Sequence, residues 1–369
     1  MDTILGQPHA IDQLRAQLAS GRVHHAQLFF GPLGVGKFTT AVAFAKVLLC
    51  HTPEADLAGQ KSACGGCASC VLLKATDGEE NQDESGHPDL HLINKELAAF
   101  SDDKQTRDRK QTTIPVGVIR ESLIKPAFLA PQLNHGKVFV VDEAHLLAAS
   151  GQNALLKVLE EPPSGGGGTT ILLITPREDA LLPTIRSRCQ RTAFVPLPDE
   201  QIEHYLDEQA VDLSPRERSW LVDFASGSLG RAKLVLDHGL TEWAQTILSG
   251  LEGLAAGRGE GELGPAMAER IDAFAKNWVK VHKQGSKEAA NKQAAGLMFS
   301  LVTTHARQQL SRASAACDPA DPDASELKLA PWLNVIDHVA IAEKRLASNV
   351  HLGLLCDGLV ASIAGALRS

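Results

Sequence analysis

Apolar residues at Ile11, Leu14 and Leu18 recur once per helical turn, and this spacing predicts an amphipathic helix over residues 10–20. The pattern then changes character. Gln27-Leu28-Phe29-Phe30 is a short apolar run that ends in glycines, and Thr39 to Leu49 returns to an Ala-rich helical pattern. Lys137-Val-Phe-Val-Val141 lands on Asp142-Glu143, and Thr170-Ile-Leu-Leu-Ile174 lands on Thr175. Apolar strands separated by helices, each ending in a polar residue, predict an open parallel α/β sheet. Ligands of such sheets sit at the carboxyl ends of the strands, where the glycine loop, Asp142 and Thr175 are expected to gather. Residues 97–113 are polar and charged and read as a mobile surface insertion, and Gly165 to Gly168 reads as a flexible run. Beyond Val195-Pro-Leu-Pro198 the pattern is helical, with breaks near 253–265 and 316–328. The last helix places Leu352, Leu355, Leu359 and Ile363 on one face.

Composition narrows the picture. At 369 residues the chain has room for two or three domains. With aromatics at only 4%, its cores must be built from Leu, Val, Ile and Ala, which suits helices on a parallel sheet. A formal net charge of -8 argues against a freestanding nucleic-acid binder, while a local basic patch inside an assembly remains compatible. Met1-Asp2-Thr3 opens no secretory signal, and no run of 18 apolar residues is present, so a cytoplasmic protein without a membrane span is expected. In a reducing compartment the seven cysteines are poor disulfide partners, so a cluster among them should be read first as a metal site.

The glycines after Phe30 form Gly31-Pro-Leu-Gly34-Val-Gly36-Lys37-Phe38, which matches the phosphate-binding pattern G-x-x-x-x-G-K-[ST] at all but its last position. Backbone N–H groups and Lys37 are positioned to hold phosphates, but Phe38 stands where a hydroxyl would ligate Mg²⁺. Thr39 is no substitute, because one helical step turns the side chain by about 100°. The loop is therefore expected to bind ATP or ADP and not to hydrolyse it. In Val140-Val-Asp142-Glu143-Ala-His145 the first carboxylate would hold Mg²⁺ and Glu143 would polarise an attacking water, although acidic pairs at strand ends are also common without a site.

Cys64-Gly-Gly-Cys67 and Cys67-Ala-Ser-Cys70 are overlapping C-x2-C knuckles, and Cys50 supplies a fourth thiolate. Four thiolates predict a closed structural Zn²⁺ site; an iron–sulfur cluster is the lesser alternative. Cys189, Cys317 and Cys356 lie apart and read as small apolar residues. Arg188, in Ser187-Arg-Cys189, could reach a neighbouring subunit's phosphate, and Arg231, after Gly227-Ser-Leu-Gly230, could face a nucleotide; either could equally be a solvated surface arginine. His24, His25, His87 and His91 read as structural or surface residues.

Taken together, these motifs resemble the clamp-loader ATPase family of AAA+ proteins. The resemblance runs densely over residues 1–235, through Ile4-Leu-Gly-Gln7, His25-Ala26, the glycine loop, the four cysteines and His87-Pro-Asp-Leu-His91. It continues through the acidic motif, Leu156-Lys-Val-Leu-Glu-Glu-Pro-Pro163, Ser187-Arg-Cys189 and Gly227-Ser-Leu-Gly-Arg231. The resemblance implies an α/β nucleotide domain over 1–195 with a zinc module at about 50–70, a helical lid over 196–240 and a helical collar over 241–369. It assigns Lys37, Asp142, Thr175 and Arg231 as phosphate-loop, acidic, first-sensor and second-sensor residues, and Arg188 as a finger acting in trans. The implied partners are gamma/tau-type and delta-type subunits in a hetero-pentamer of the DNA polymerase III holoenzyme, with the sliding clamp and primer–template DNA. Phe38, together with a chain that ends near the collar, favours a non-hydrolysing subunit. The alternatives are a gamma/tau-like motor that hydrolyses ATP itself and a zinc-dependent DNA-binding module.

Overall fold

The computed structural model describes residues 4–56, 59–74, 86–108, 113–133, 135–161, 163, 168–258, 260–281, 287–317, 322–346 and 350–368. The chain divides into two compact units, one formed by residues 1–210 with 226–230 and the other by 211–225 with 231–369.

In the first unit, α1 (Pro8–Ser20) buries Ile11, Leu14 and Leu18, the face its spacing predicted. It is followed by β1 (Ala26–Phe30), the glycine loop, and α2 (Lys37–Leu49). A two-stranded antiparallel ribbon, β2 (Glu54–Ala55) and β3 (Lys61–Ser62), precedes α3 (Ala68–Lys74). The chain continues through β4 (Leu90–Ile93), α4 (Lys104–Asp108), α5 (Val116–Ile119), α6 (Lys125–Ala127), β5 (Lys137–Val141), α7 (Ala149–Glu160) and β6 (Thr169–Thr175). It ends in α8 (Pro183–Arg186), β7 (Gln190–Ala193) and α9 (Asp199–Glu208).

The other five strands form one parallel sheet in the order β4-β5-β6-β1-β7. Parallel neighbours require crossover connections, and the helices that make them cover both faces. Because β5, β6 and β1 are buried on both faces, they read as continuous apolar runs; Phe29, Val140, Leu172 and Ile174 pack with α1 and α2 on one side. Leu28, Phe139, Val141, Ile171 and Leu173 pack with α5 and α7 on the other. This is the open parallel α/β architecture that the apolar strands predicted, and the segment that follows is helical as expected.

Residues 97–108 depart from the reading of 97–113 as a mobile insertion. Lys95–Phe100 forms a 3-10 helix capped by Asn94, with Ala98 buried, and α4 follows. Ser101 donates its hydroxyl to Glu121 and accepts from Arg107 at its backbone carbonyl, so polar side chains hold this stretch through side-chain and backbone bonds. A polar composition did not mean absence of structure, because local side-chain bonds satisfy the backbone turns. Residues 109–112, and Gly165 to Gly167 of the glycine run, lie outside the described residues.

The second unit comprises α10 (Pro215–Ala225), most of α11 (Leu229–Asp237), α12 (Leu240–Ala255), α13 (Glu260–Val281), α14 (Lys287–Ala315), α15 (Pro322–Leu346) and α16 (Leu352–Arg368). Here α13, α14, α15 and α16 pack as a bundle. On α16, Leu355, Leu359 and Ile363 are buried along one face, with Leu352 at its edge. Among the described residues no helix is long and apolar enough to cross a membrane.

Candidate functional site

The register of the sheet brings the predicted groups to one edge. Phe30 pairs with Thr175 and Val141 pairs with Leu173, so the carboxyl ends of β1, β6 and β5 lie side by side. The glycine loop leaves β1 there, Asp142 follows β5, and Thr175 closes β6. Gly31, at φ 137°, has no space for a side chain: an added Cβ would lie 2.1 Å from the Phe194 carbonyl oxygen. Gln7 explains its own place in the Ile4-Leu-Gly-Gln7 motif. Its amide donates to the carbonyls of Val35 (3.2 Å) and Val195 (2.7 Å) and accepts from the Val195 N–H (3.0 Å), tying the loop to the end of the sheet.

Each charged group of the site has a partner within the chain. Lys37 Nζ donates to the carbonyl of Gly31 (2.7 Å) and to that of Pro32. Burial pulls its pKa down to about 8 against the opposing pull of Asp142. Burial raises the Asp142 carboxyl above its ordinary range, although the Glu143 N–H donates to it at 2.8 Å. Glu143 adopts a left-handed backbone (φ 48°, ψ 41°), and its carboxylate accepts a hydrogen bond from Lys95 Nζ at 2.7 Å. Burial works against the charge on Lys95, but the bond and charge of Glu143 outweigh it and raise its pKa. Thr175 is fully buried, with its hydroxyl donating to the Arg177 carbonyl (2.8 Å) and accepting from the Arg177 N–H (3.1 Å).

Phe38 lies half-buried against the apolar cluster that contains Phe44 and Leu14. Thr39 is exposed, and Thr40 Oγ1 donates to the Gly36 carbonyl at 2.8 Å, within the first turn of α2. The tip of the loop is also engaged: the Gly230 N–H donates to the Gly34 carbonyl (2.9 Å), and Ser228 Oγ donates to that of Leu33 (2.9 Å). A Cβ on Gly34 would come within 2.3 Å of Ser228 Oγ and 3.0 Å of Gly230 Cα.

Arg188 lies between α8 and β7, one-third exposed, donating to the Thr184 carbonyl (2.9 Å) and to the Glu160 carboxylate. Arg231 falls in the other unit, where its guanidinium stacks over the ring of Phe224 at 4.4 Å. His25 Nε2 bonds the Leu159 carbonyl at 2.8 Å, and His87 is buried against Ser69 Oγ at 2.9 Å; both are structural. Sequence reasoning missed Lys95 altogether, and quoted Glu160 and Ser228 only as members of motifs, without the contacts they make. A lysine two residues after a strand end carries no pattern of its own, and only the sheet order places it beside Glu143.

The four cysteines do come together. The Sγ atoms of Cys50, Cys64, Cys67 and Cys70 lie within 4.8 Å of one another, with 3.9 Å between Cys50 and Cys67 and between Cys64 and Cys70. A tetrahedral Zn²⁺ with Zn–S of about 2.3 Å places its sulfurs about 3.8 Å apart, so the donor set fits that ion. The N–H of Cys64 points at Cys50 Sγ (3.3 Å) and that of Cys67 at Cys64 Sγ (3.4 Å), dipoles that favour thiolates. The Thr52 hydroxyl, with the N–H groups of Gly66 and Cys67, draws the Cys64 thiol down to about 6. Burial works the other way on Cys50 and Cys70, raising both, Cys70 to about 12. Cys189 and Cys356, outside the cluster, are likewise pushed up to about 12 by burial and behave as apolar residues.

A parallel sheet with a phosphate loop after β1 and an acidic pair after β5 is the arrangement of a P-loop domain. A family model described as DNA polymerase III, delta subunit, matches residues 6–198, more than half of the chain, and the chain belongs to this family. It is 31% identical over 251 residues to the gamma/tau subunit of DNA polymerase III from Mycobacterium tuberculosis, covering 66% of this chain and 37% of that protein. It is 33% identical over 243 residues to the delta' subunit from Pseudomonas aeruginosa, covering 65% of each. Among solved structures, a gamma subunit-related protein from Thermotoga maritima is 17% identical, with a TM-score of 0.45 over 97% of this chain and 100% of that one. The chain thus matches little more than a third of the length of the gamma/tau relatives.

Proposed function

We propose that the chain is a delta-prime-type subunit of a bacterial clamp loader: it retains an AAA+ nucleotide domain for assembly and leaves hydrolysis to its neighbours. Its partners are gamma/tau-type and delta-type subunits in a cytoplasmic hetero-pentamer that places a sliding clamp on primer–template DNA. Residues 1–195 form the nucleotide domain, 196–240 a lid and 241–369 an oligomerising collar. Cys50, Cys64, Cys67 and Cys70 hold a structural Zn²⁺, a closed donor set with no position for substrate. Gly31, Gly34, Gly36 and Lys37 contact phosphate, Thr175 and Arg231 act as sensors, and Arg188 reaches the ATP of an adjacent subunit.

The observation that carries the non-hydrolysing role is the pairing of Glu143 with Lys95 beside a Phe38 that lies half-buried against the apolar core. Glu143 is the group that would orient water, and its carboxylate already holds an ammonium; the Mg²⁺ hydroxyl is replaced by a ring. Two faults in series predict a specific mutational result. Isolated wild-type protein is expected to show no ATP turnover and Phe38→Thr alone none, with turnover emerging only when Lys95→Ala is added. Lys37-dependent turnover by the isolated wild type would instead establish the motor reading.

Lys37 sets the pH response of any nucleotide contact. Its ammonium is charged below about 8 and neutral above it, so the attraction for phosphate declines as pH rises through that value. Isothermal titration with ATP between pH 6.5 and 9.5 is expected to show weakening affinity on the alkaline side, a trend that Lys37→Ala abolishes. Affinity that is flat across this range in the wild type would remove Lys37 from the contact.

A further inference from the structure

We propose that Glu160 is a positioning residue for Arg188, fixing the plane of the guanidinium that a neighbouring subunit's phosphate meets. The inference rests on Arg188 acting in trans, as proposed above. Two anchors hold the group. One is the carbonyl of Thr184, four residues before Arg188 and within the turn of α8, which travels with the arginine. The other is the carboxylate of Glu160, 28 residues away at the end of α7.

The second anchor stands on a rigid element. Leu155, Val158 and Leu159 of α7 are buried in the sheet core, and the Leu159 carbonyl is held by His25 just before β1. Glu160 therefore presents its carboxylate from a helix end that the core has already fixed.

The geometry of the pair separates positioning from sequestration. A carboxylate that closes on an arginine fork uses both outer nitrogens in two parallel bonds. Here only Nη2 meets Glu160, while Nη1 is turned to the Thr184 carbonyl. A guanidinium has five N–H donors, so three remain for another acceptor, and the side chain is one-third exposed. Anchored at two nitrogens, the plane cannot rotate freely, and less rotamer freedom is lost when phosphate arrives. A carboxylate at one-point contact orients the arginine and leaves its donor face open.

The test uses the reconstituted complex with all subunits, comparing wild type, Arg188→Ala, Glu160→Ala and Glu160→Gln in single-turnover ATP hydrolysis. An exposed ion pair limits the effect: Glu160→Ala is expected to slow hydrolysis at the served site by about two- to fivefold. The KM for ATP should stay unchanged, because the neighbour binds the nucleotide. Glu160→Gln keeps a carbonyl acceptor for Nη2 and is expected to restore most of the rate. Melting of the isolated chain reports folding, and both Glu160 variants should match wild type. A Glu160→Ala rate equal to or above wild type, or an equal loss in Glu160→Gln, overturns the positioning role. Where Arg188→Ala is slow and Glu160→Ala is not, only Glu160 is excluded; where Arg188→Ala is also unaffected, the finger reading falls and takes this one with it.

Discussion

Replacing Arg188 with alanine is expected to silence one ATP site of the reconstituted assembly while leaving the fold of this chain intact. Two energy scales separate cleanly here. Within the chain, Arg188 makes a half-exposed ion pair with Glu160 and one bond to the Thr184 carbonyl, interactions whose loss costs no more than about 1 kcal/mol. At a γ-phosphate in transfer, an arginine supplied in trans is worth about 10³–10⁵ in rate. The pre-steady-state burst of ATP hydrolysis should therefore lose the amplitude of a single site, with melting of the isolated subunit unchanged. Arg188→Lys should not recover the burst, because a point charge cannot reproduce two donors in a fixed plane. A full-amplitude burst from the alanine variant would falsify the finger role.

Complete removal of the metal is expected to lower the melting temperature of the first unit by at least about 5 °C, leaving the helical bundle of the second unit to unfold as before. Cys50 is fully buried at the C-cap of α2, the helix that begins at Lys37, so one ligand is continuous with the helix behind the phosphate loop. Ser69, between Cys67 and Cys70, bonds the buried His87, and Asp89 in turn accepts from the N–H groups of Gln132 and Leu133 at 2.8 and 2.9 Å. Without the ion, several sulfurs at van der Waals distance have only weak thiol bonds to hold them, and the ribbon β2–β3 is too short to stand alone. Metal analysis should return one zinc per chain, and Cys70→Ser should reproduce the loss. Unchanged melting after verified removal would show that the knuckle is not a structural site.

Of the fold, the central part was legible and the edges were not. β1, β5 and β6 are buried on both faces, so their apolar runs marked them directly. β4 contains His91 and is only four residues long, and β7, Gln190-Arg-Thr-Ala193, has just Thr192 buried. β7, at one edge, keeps most of its side chains in solvent and carries no hydrophobic signature, whereas β4 buries Leu90, Leu92 and Ile93 but is too short to stand out. Residues 97–108 misled for the opposite reason: their polar side chains bond nearby backbone and side-chain groups and so hold the turns.

Candidate residues divide in the same way. The cysteines could be recognised because metal geometry demands ligand types at short, fixed spacing, and Lys37 because a phosphate loop is local in sequence. Lys95 and Glu160 lie 48 and 28 residues from the groups they hold, and no spacing rule spans such distances.

The chain by itself thus determined the element types, the phosphate loop with its missing hydroxyl, the acidic pair and the cysteine cluster, all of which follow from periodicity or local chemistry. Only the tertiary structure decided what state those groups are in. Strand order brought Lys95 onto Glu143, helix packing brought Glu160 onto Arg188, and the turn at 228–230 came down on the loop tip. Each is a contact between segments far apart in sequence, fixed by which strands are neighbours, and a one-dimensional pattern holds no record of neighbours.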